Sequence, residues 1–481
     1  MKRELAAIPA FAALLLAGCA TPGAEVEVAP VQASALGLGD TAAPGIDADW
    51  WTTLGDPQLD RIMQDALAGS PRLDAALARV RQAQALVATR RAEDLPQVTF
   101  DANEQRTRLS EKYIIPPPYG GSTQWVGQAQ ANLDWSLDFW GRQADAIAQA
   151  RATAQAAALD HAAARLALTG AVAQTYVELA RAERQIAIGK ANVDQRDHAL
   201  RLTRTQVESR LASTIDVRAA ETLLAQARQA QVRAEGQRDL LVHALALLAG
   251  RGADYYATIQ PTTIRLDTAL PLPATLPADL LSRRPDVLGA RASVEAAAAG
   301  REVARKAFYP NINLQALIGV QALGLGNLFT SGAGTYGAGA ALHLPIFEGG
   351  KLRAEHAGAT ARLDEAVATY NDTVLTAVRE AADALTRIAN TRSDLDQQRQ
   401  ALHGLSEVTR LNRVRVASGL DSRLDLIGSD VRLLQAQQDE ANLEAQSVLN
   451  AVQLLIAIGG GFQPTPGELS LNTPSPVSTA Q

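Results

Sequence analysis

The chain has 481 residues, 45 of them Lys or Arg and 51 Asp or Glu, for a formal net charge of −6. So mild a balance argues against a nucleic-acid partner. The stretches rich in Ala, Leu, Gln, Arg and Glu point to long helices. Lys2 and Arg3 make a short basic start, and Leu5 to Ala17 is almost wholly small and apolar. That is the length and flanking charge of a secretory signal peptide, too short to be relied on as a membrane span. Beyond it no apolar run approaches the roughly 18 residues of a spanning helix. If the mature chain crosses a membrane, it must do so as a closed β-barrel.

The apolar run closes with Leu16-Ala17-Gly18-Cys19, and Cys19 is the single cysteine of the chain. This resembles the lipobox of bacterial lipoproteins, in which the cysteine becomes an acylated N-terminus. The bland alternative is a chance buried thiol, but Cys19 sits where a cleavage site belongs. A lipid there anchors the chain by burying methylenes, at about 0.8 kcal/mol each. Ala20, not an aspartate, follows, which by the lipoprotein sorting rule favours the outer membrane. One cysteine allows no internal disulfide, so stability rests on packing.

From residue 70 onward the chain repeats one plan. Ser70-Pro71-Arg72-Leu73-Asp74 has a counterpart in Arg284-Pro285-Asp286-Val287-Leu288, and Leu95-Pro96 in Tyr309-Pro310, both at an offset of 214. Leu137-Asp138-Phe139-Trp140-Gly141-Arg142 matches Pro345-Ile346-Phe347-Glu348-Gly349-Gly350-Lys351, and Ser209 to Asp216 matches Ser418 to Asp425. Four matches in one order indicate a duplicated half, not a solenoid. Each half is expected to run helix, strand, strand, long helix, turn, shorter helix.

In the strand expected over Thr123 to Phe139, Ala129, Ala131, Leu133, Trp135 and Leu137 alternate with Gln128, Gln130, Asn132, Asp134 and Ser136. The equivalent Thr335 to Phe347 carries Tyr336, Ala338, Ala340, Leu342, Leu344 and Ile346 on one face, and Asn311 to Val320 carries Ile312, Leu314, Ala316, Ile318 and Val320. Gln97 to about Arg108 is weaker: Val98, Phe100 and Ala102 alternate until Glu104 breaks the row. Period-two alternation over about ten residues suits a transmembrane barrel and equally a half-buried soluble sheet. The lipobox and the helices favour the barrel. The expected hairpin tips are Glu111 to Ser122 and Ala322 to Gly334.

The long helices are expected over Gln143 to Arg210 and Leu352 to Gly419, each roughly 100 Å at 1.5 Å per residue. Such helices need neighbours along their whole length, as in a coiled coil. Thr214 to Leu248 and Pro71 to Ala92, laid end to end, give a partner of similar reach. Leu166, Leu168, Val172 and Tyr176, and Leu223, Leu224 and Ala227, recur at helical steps and mark the seams.

Taken together these residues resemble the outer-membrane factor family of the TolC type, most closely the NodT branch serving RND efflux pumps. The resemblance rests on Trp50-Trp51, Leu54-Gly55-Asp56-Pro57 and Leu59, then Arg283-Arg284-Pro285-Asp286-Val287, Phe308-Tyr309-Pro310-Asn311-Ile312 and Leu344 to Lys351. It implies a mainly α fold with a transmembrane β part. Three chains share a twelve-strand barrel, four strands each, and a hollow periplasmic α-barrel. It divides the chain into a signal peptide (1–18), a lipidated N-terminal segment (19–57), a first repeat (58–249), an equatorial linker (250–281), a second repeat (282–458) and a tail (459–481). The implied partners are two further copies, a periplasmic adaptor protein, an inner-membrane RND transporter and outer-membrane lipid. The implied role is a passive exit duct for drugs or other small molecules, with no cofactor.

By the same resemblance the helix turns form the periplasmic tips. Arg210, Leu211, Ser213, Gly419 and Ser422 are expected to meet the adaptor. Leu420, Asp421, Leu424 and Asp425 are expected to narrow the closed end, the two leucines one turn apart and the two acids one turn apart. Gly428 stands where some relatives place an aperture aspartate, and Arg210 stands where the second half has Gly419. Asp216 reads best as a helix cap; for Asp425, capping and gating stay open. An enzyme is not expected: the six histidines are scattered, and Gly332 to Gly337 fits GxGxxG but opens a strand. Two other readings remain, a channel for type I protein secretion and a lipidated periplasmic adaptor. The adaptor would have one hairpin where this chain has two matched halves.

Overall fold

The computed structural model describes residues 25–32, 35–38, 46–112, 114–266, 279–421 and 423–463. Cys19, the signal peptide and Ser422 lie outside them, and nothing is described of the side chains of Arg423 and Leu424. The first half contains α1 (Pro57–Gly69), α2 (Pro71–Glu93), β1 (Gln97–Arg108), β2 (Thr123–Leu137), α3 (Arg142–Glu208) and α4 (Thr214–Leu248). The second half contains α5 (Pro285–Lys306), β3 (Asn311–Leu323), β4 (Gly334–His343), α6 (Lys351–Ala417) and α7 (Arg423–Ala457).

The long helices α3 and α6 have 67 residues each, and α4 and α7 have 35 each. At 1.5 Å per residue the first pair reach about 100 Å. The shorter helices lie beside them, α2, α5 and α4 along α3, and α5 and α7 along α6, while α3 also touches α7. Away from the middle many buried helix positions are alanine, for example Ala150, Ala152, Ala154, Ala359 and Ala436. Small side chains let the helix backbones approach closely and leave no groove for larger ones to fill.

Larger core residues gather halfway along. Trp50, Trp51, Leu54, Leu59, Ile62 and Met63 of the N-terminal segment and α1 pack onto Val172, Tyr176, Leu179, Leu245, Val448 and Val452. A second cluster joins Leu280 to Ala381, Ala384, Leu454 and Ile458. Of the expected seam residues Leu168, Val172, Tyr176, Leu224 and Ala227 are buried, while Leu166 and Leu223 are half-buried.

The four strands form one antiparallel sheet in the order β1-β2-β3-β4. Two strand ends fall short of the sequence reading. β4 stops at His343, the partner of Asn311, because β3 begins there and leaves nothing to pair with. Pro345 also lacks the N–H that a further ladder bond needs. β2 ends at Leu137, the partner of Ile312, and the chain turns as the Phe139 N–H donates to the Leu137 carbonyl at 2.9 Å. At the other end β3 runs on to Leu323, beyond the expected Val320, since β2 still supplies partners as far as Val126.

Candidate functional site: two faces of one sheet and two helix turns

The strand register decides what the sheet can do. Val98 pairs with Leu133, Phe100 with Ala131 and Ala102 with Ala129. Leu133 pairs in turn with Ala316, Ala131 with Ile318 and Trp135 with Leu314. Ala316 pairs with Ala338, Ile318 with Tyr336 and Ile312 with Leu342. The separate alternations therefore fall in phase and make one continuous apolar face. The opposite face carries Thr99, Asp101, Gln128, Gln130, Asn132, Asp134, Asn313 and Gln315. Its polar groups bond across the strands: Asn132 donates to Asp101 at 2.8 Å and Gln315 to Asp134 at 3.0 Å.

Aromatic side chains mark both ends of the apolar face. Trp125 and Tyr336 lie toward the hairpin tips, 44 % and 86 % exposed. Toward the helices lie Trp135, Trp140 and Tyr309; the Trp135 indole donates to the Asp94 carbonyl and that of Trp140 to the Pro310 carbonyl. Trp125 and Trp135 stand ten residues apart on β2, about 34 Å along a strand and about 26 Å along an axis tilted by roughly 40°. That matches the apolar band of outer-membrane barrels, about 25 Å tall. The apolar face suits lipid and the amide-rich face suits water. β1 and β4 each keep an unpaired outer edge among the described residues.

The strand-to-helix corners repeat one solution in both halves. Gly141 and Gly350 precede α3 and α6 with φ of 72° and 90°, a conformation that glycine adopts without a Cβ clash. Asp138 then accepts from the Ala144 N–H at 2.9 Å. Lys306, at the end of α5, reaches Asp145 at 2.6 Å and ties the two halves together beneath the sheet.

At the far ends of the long helices, the first turn holds Ser209 to Ser213. Leu211 is 79 % exposed. Ser213 caps α4 in a reciprocal box: its Oγ accepts from the Asp216 N–H, and the Asp216 carboxylate accepts from the Ser213 N–H at 2.8 Å. Asp216 is thus a capping residue. In the second turn Leu420 is 72 % exposed, and Asp421 accepts from Arg415 at 3.0 Å. Asp425 is exposed in the first turn of α7. One expectation needs correcting: Leu420 and Asp421 precede α7, which begins at Arg423, so they do not share its helical ladder with Leu424 and Asp425. Gly419, at φ 69°, ends the helical path before them.

The sequence reading missed a buried polar clamp in the middle. Asp56, 3 % exposed, accepts from the Tyr176 hydroxyl at 2.7 Å, the Thr263 N–H at 2.7 Å and the Gln58 N–H at 2.9 Å. Burial works against its charge, but these hydrogen bonds prevail and hold its pKa below the usual aspartate value. Burial, then the bond to Asp56, pushes the Tyr176 phenol above the ordinary tyrosine range. Arg284 is a second such group, 8 % exposed, bound to Asp286 at 2.6 Å, Glu380 at 2.8 Å and the Ala457 carbonyl at 3.0 Å. Both residues sit in motifs visible in the sequence, Leu54 to Pro57 and Arg283 to Val287, but Tyr176, Thr263, Glu380 and Ala457 lie far along the chain.

Comparison with known proteins gives a consistent result. The family model described as outer membrane efflux protein matches residues 62–251 and 276–460. The fusaric acid resistance protein FusA of Burkholderia cepacia is 35% identical over 75% of this chain and 70% of its own length. The pyoverdine export outer membrane protein OpmQ of Pseudomonas aeruginosa is 31% identical over 94% and 96%. The crystal structure of the outer membrane protein VceC from Vibrio cholerae, 31% identical, superposes with a TM-score of 0.82 over 87% of this chain and all of that one. The Campylobacter jejuni CmeC outer membrane channel, 21% identical, shares the fold at a TM-score of 0.82 over 92% and 95%.

Proposed function

The chain belongs to the outer membrane efflux protein family, and from that premise we propose that three copies close into the passive exit duct of a tripartite, RND-type pump for small molecules. It is an outer-membrane efflux channel with the helical-barrel and β-barrel architecture of the solved relatives. Four strands with two open edges cannot stand in lipid, where each unpaired backbone group costs several kcal/mol. Joining β4 of one copy to β1 of the next removes every edge. Twelve strands then enclose the amide-rich face and turn the apolar face outward. The continuous apolar face in register across all four strands carries this reading. The names of relatives support small cargo, since they concern fusaric acid, pyoverdine and solvents.

The exposed turns around Leu211 and Leu420 are the adaptor-facing ends, with Arg210, Ser213 and Gly419 beside them. Acylation of Cys19 is compatible with the course of the N-terminal segment. The Glu27 and Val28 N–H groups donate to Asp364 on α6, and the Val31 N–H donates to Asn371. Asp364 lies about 20 Å along α6 from its start beside the sheet. The residues from Cys19 to Glu27 span at most about 28 Å, enough for a lipid on Cys19 to reach the membrane.

Native mass spectrometry of the protein in detergent tests the assembly. A trimer mass is expected, with a diacylglycerol and a further acyl chain on each Cys19. A stable monomer as the main species refutes the duct; an unmodified Cys19 refutes the anchor.

A further inference from the structure

We propose that Arg106 and Arg108 form a phosphate-binding site on the lipid-facing rim of each protomer, occupied by the phosphorylated glycolipid of the outer leaflet. The four strands contain no other Lys or Arg. Arg106 pairs with Trp125 and Arg108 with Thr123, in the same phase as Val98, Phe100 and Ala102. Both guanidinium groups therefore leave β1 on the lipid side. The water-facing positions of that strand, Gln97, Thr99, Asp101, Asn103, Gln105 and Thr107, hold no cation.

Depth makes this placement tolerable and informative. An arginine on the lipid face costs about 2–4 kcal/mol at the midplane and falls to about 0–1 near the interface. Arg106 lies level with the Trp125 belt and Arg108 two residues farther out, where lipid phosphates stand. The Arg106 guanidinium is 5.9 Å from the centroid of the Trp125 ring. Cation–π attraction at that distance orients the group before any lipid arrives. Arg108 is held by Glu111 of the hairpin at 3.3 Å. A guanidinium offers a planar fork that fits two phosphate oxygens, which an ammonium does not.

The neighbouring acids restrict the occupant. Glu104 lies two residues deeper on the same face, and Glu111 engages Arg108. Glu104 repels an anion that sinks below the belt and so keeps the phosphate at the rim. A singly charged headgroup gains little against two carboxylates, whereas a diphosphorylated one brings enough charge to engage both arginines.

The test uses the full-length protein in mild detergent. Native mass spectrometry would read bound lipid after incubation with diphosphorylated lipid A, dephosphorylated lipid A or phosphatidylglycerol. Diphosphorylated lipid A should stay bound, and the other two should be retained about tenfold less, the loss of roughly one charge-assisted contact. The double variant Arg106→Gln, Arg108→Gln should lose a similar factor, and Arg106→Lys, Arg108→Lys should fall between. Equal retention of all three lipids, or parent-level binding by the double Gln variant, overturns the site. Displacement by millimolar inorganic phosphate alone also overturns it, since that marks a free-anion site. If the Gln variant fails to assemble, the three-lipid comparison on the parent protein still decides.

Discussion

Arg210 holds φ at 58° where its counterpart in the second half, Gly419, holds φ at 69°. Both close a 67-residue helix with the same type of bond. The Leu211 N–H donates to the Gln206 carbonyl at 2.7 Å, and the Leu420 N–H to the Arg415 carbonyl at 2.9 Å. The left-handed conformation suits glycine and costs another residue about 1 kcal/mol. Arg210→Gly should therefore firm the first turn by up to about 1 kcal/mol, and Gly419→Ala should loosen the second by a similar amount. Hydrogen exchange of the amides at 211 and 420 would register slower exchange in the first variant and faster in the second. The same rate for both variants would show that the turns are held by something other than this φ.

The sequence showed that these turns correspond, through Ser209 to Asp216 and Ser418 to Asp425, but not why an arginine is tolerated. The period-two strands and the unbroken helices were legible because each repeats a simple spacing over many residues. The strand register was not, since it depends on backbone pairing, although the alternation around Ala131 and Ile318 excludes shifts by an odd number of residues. Least legible were contacts across long separations. Nothing local to Asp56 points to Tyr176, 120 positions later, and nothing near Val31 points to Asn371. A buried carboxylate is explained only by the donors that the fold brings to it.

Removing the hydroxyl of Tyr176 tests that explanation. Tyr176→Phe keeps the ring but takes one of the donors from the Asp56 carboxylate. The expected cost is about 1–3 kcal/mol, visible as a lower temperature of trimer dissociation. Asp56→Asn should rescue part of this loss in the double variant, because a neutral amide demands less of its surroundings. An additive double variant would mean that the two residues act separately.

The same carboxylate gives a pH dependence with a definite sign. Its pKa is lower folded than unfolded, through the bonds from Tyr176, Thr263 and Gln58 that overcome burial. The stabilisation is then complete above the ordinary aspartate range near about 3.9 and is lost as pH falls through the lower folded value. Acid unfolding of the parent should be steeper than that of Asp56→Asn in this window. Parallel curves would remove Asp56 as a contributor.

Arg284 should resist conservative replacement. Its guanidinium serves Asp286, Glu380 and the Ala457 carbonyl at once, and an ammonium cannot span all three. Arg284→Lys and Arg284→Ala should each lower assembled protein severalfold, because they remove charge-assisted hydrogen bonds, about 1.5–3 kcal/mol each, from a guanidinium only 8 % exposed. Normal trimer yield from Arg284→Lys would reduce the site to simple charge balance.

The final prediction concerns the second helix turn, which we assign to the narrow end of the resting duct. A duct open at rest leaks, so its inner end should close until a pump docks. Leu420 is 72 % exposed in the single protomer, and Asp425 is exposed at the start of α7. Three copies of each, brought near one axis, make an apolar ring that resists wetting and an acidic ring that attracts cations. Arg415 of the same protomer lies 3.0 Å from Asp421. Leu420→Ser with Leu424→Ser should then raise single-channel conductance in planar bilayers, and Asp425→Ser should weaken cation preference. The bland reading gives Asp425 only a first-turn role in α7, where an acid favours the helix N-terminus. On that reading Asp425→Ser lowers stability and leaves reversal potentials at parent values. Unchanged conductance in the leucine variant would place the constriction elsewhere along the duct.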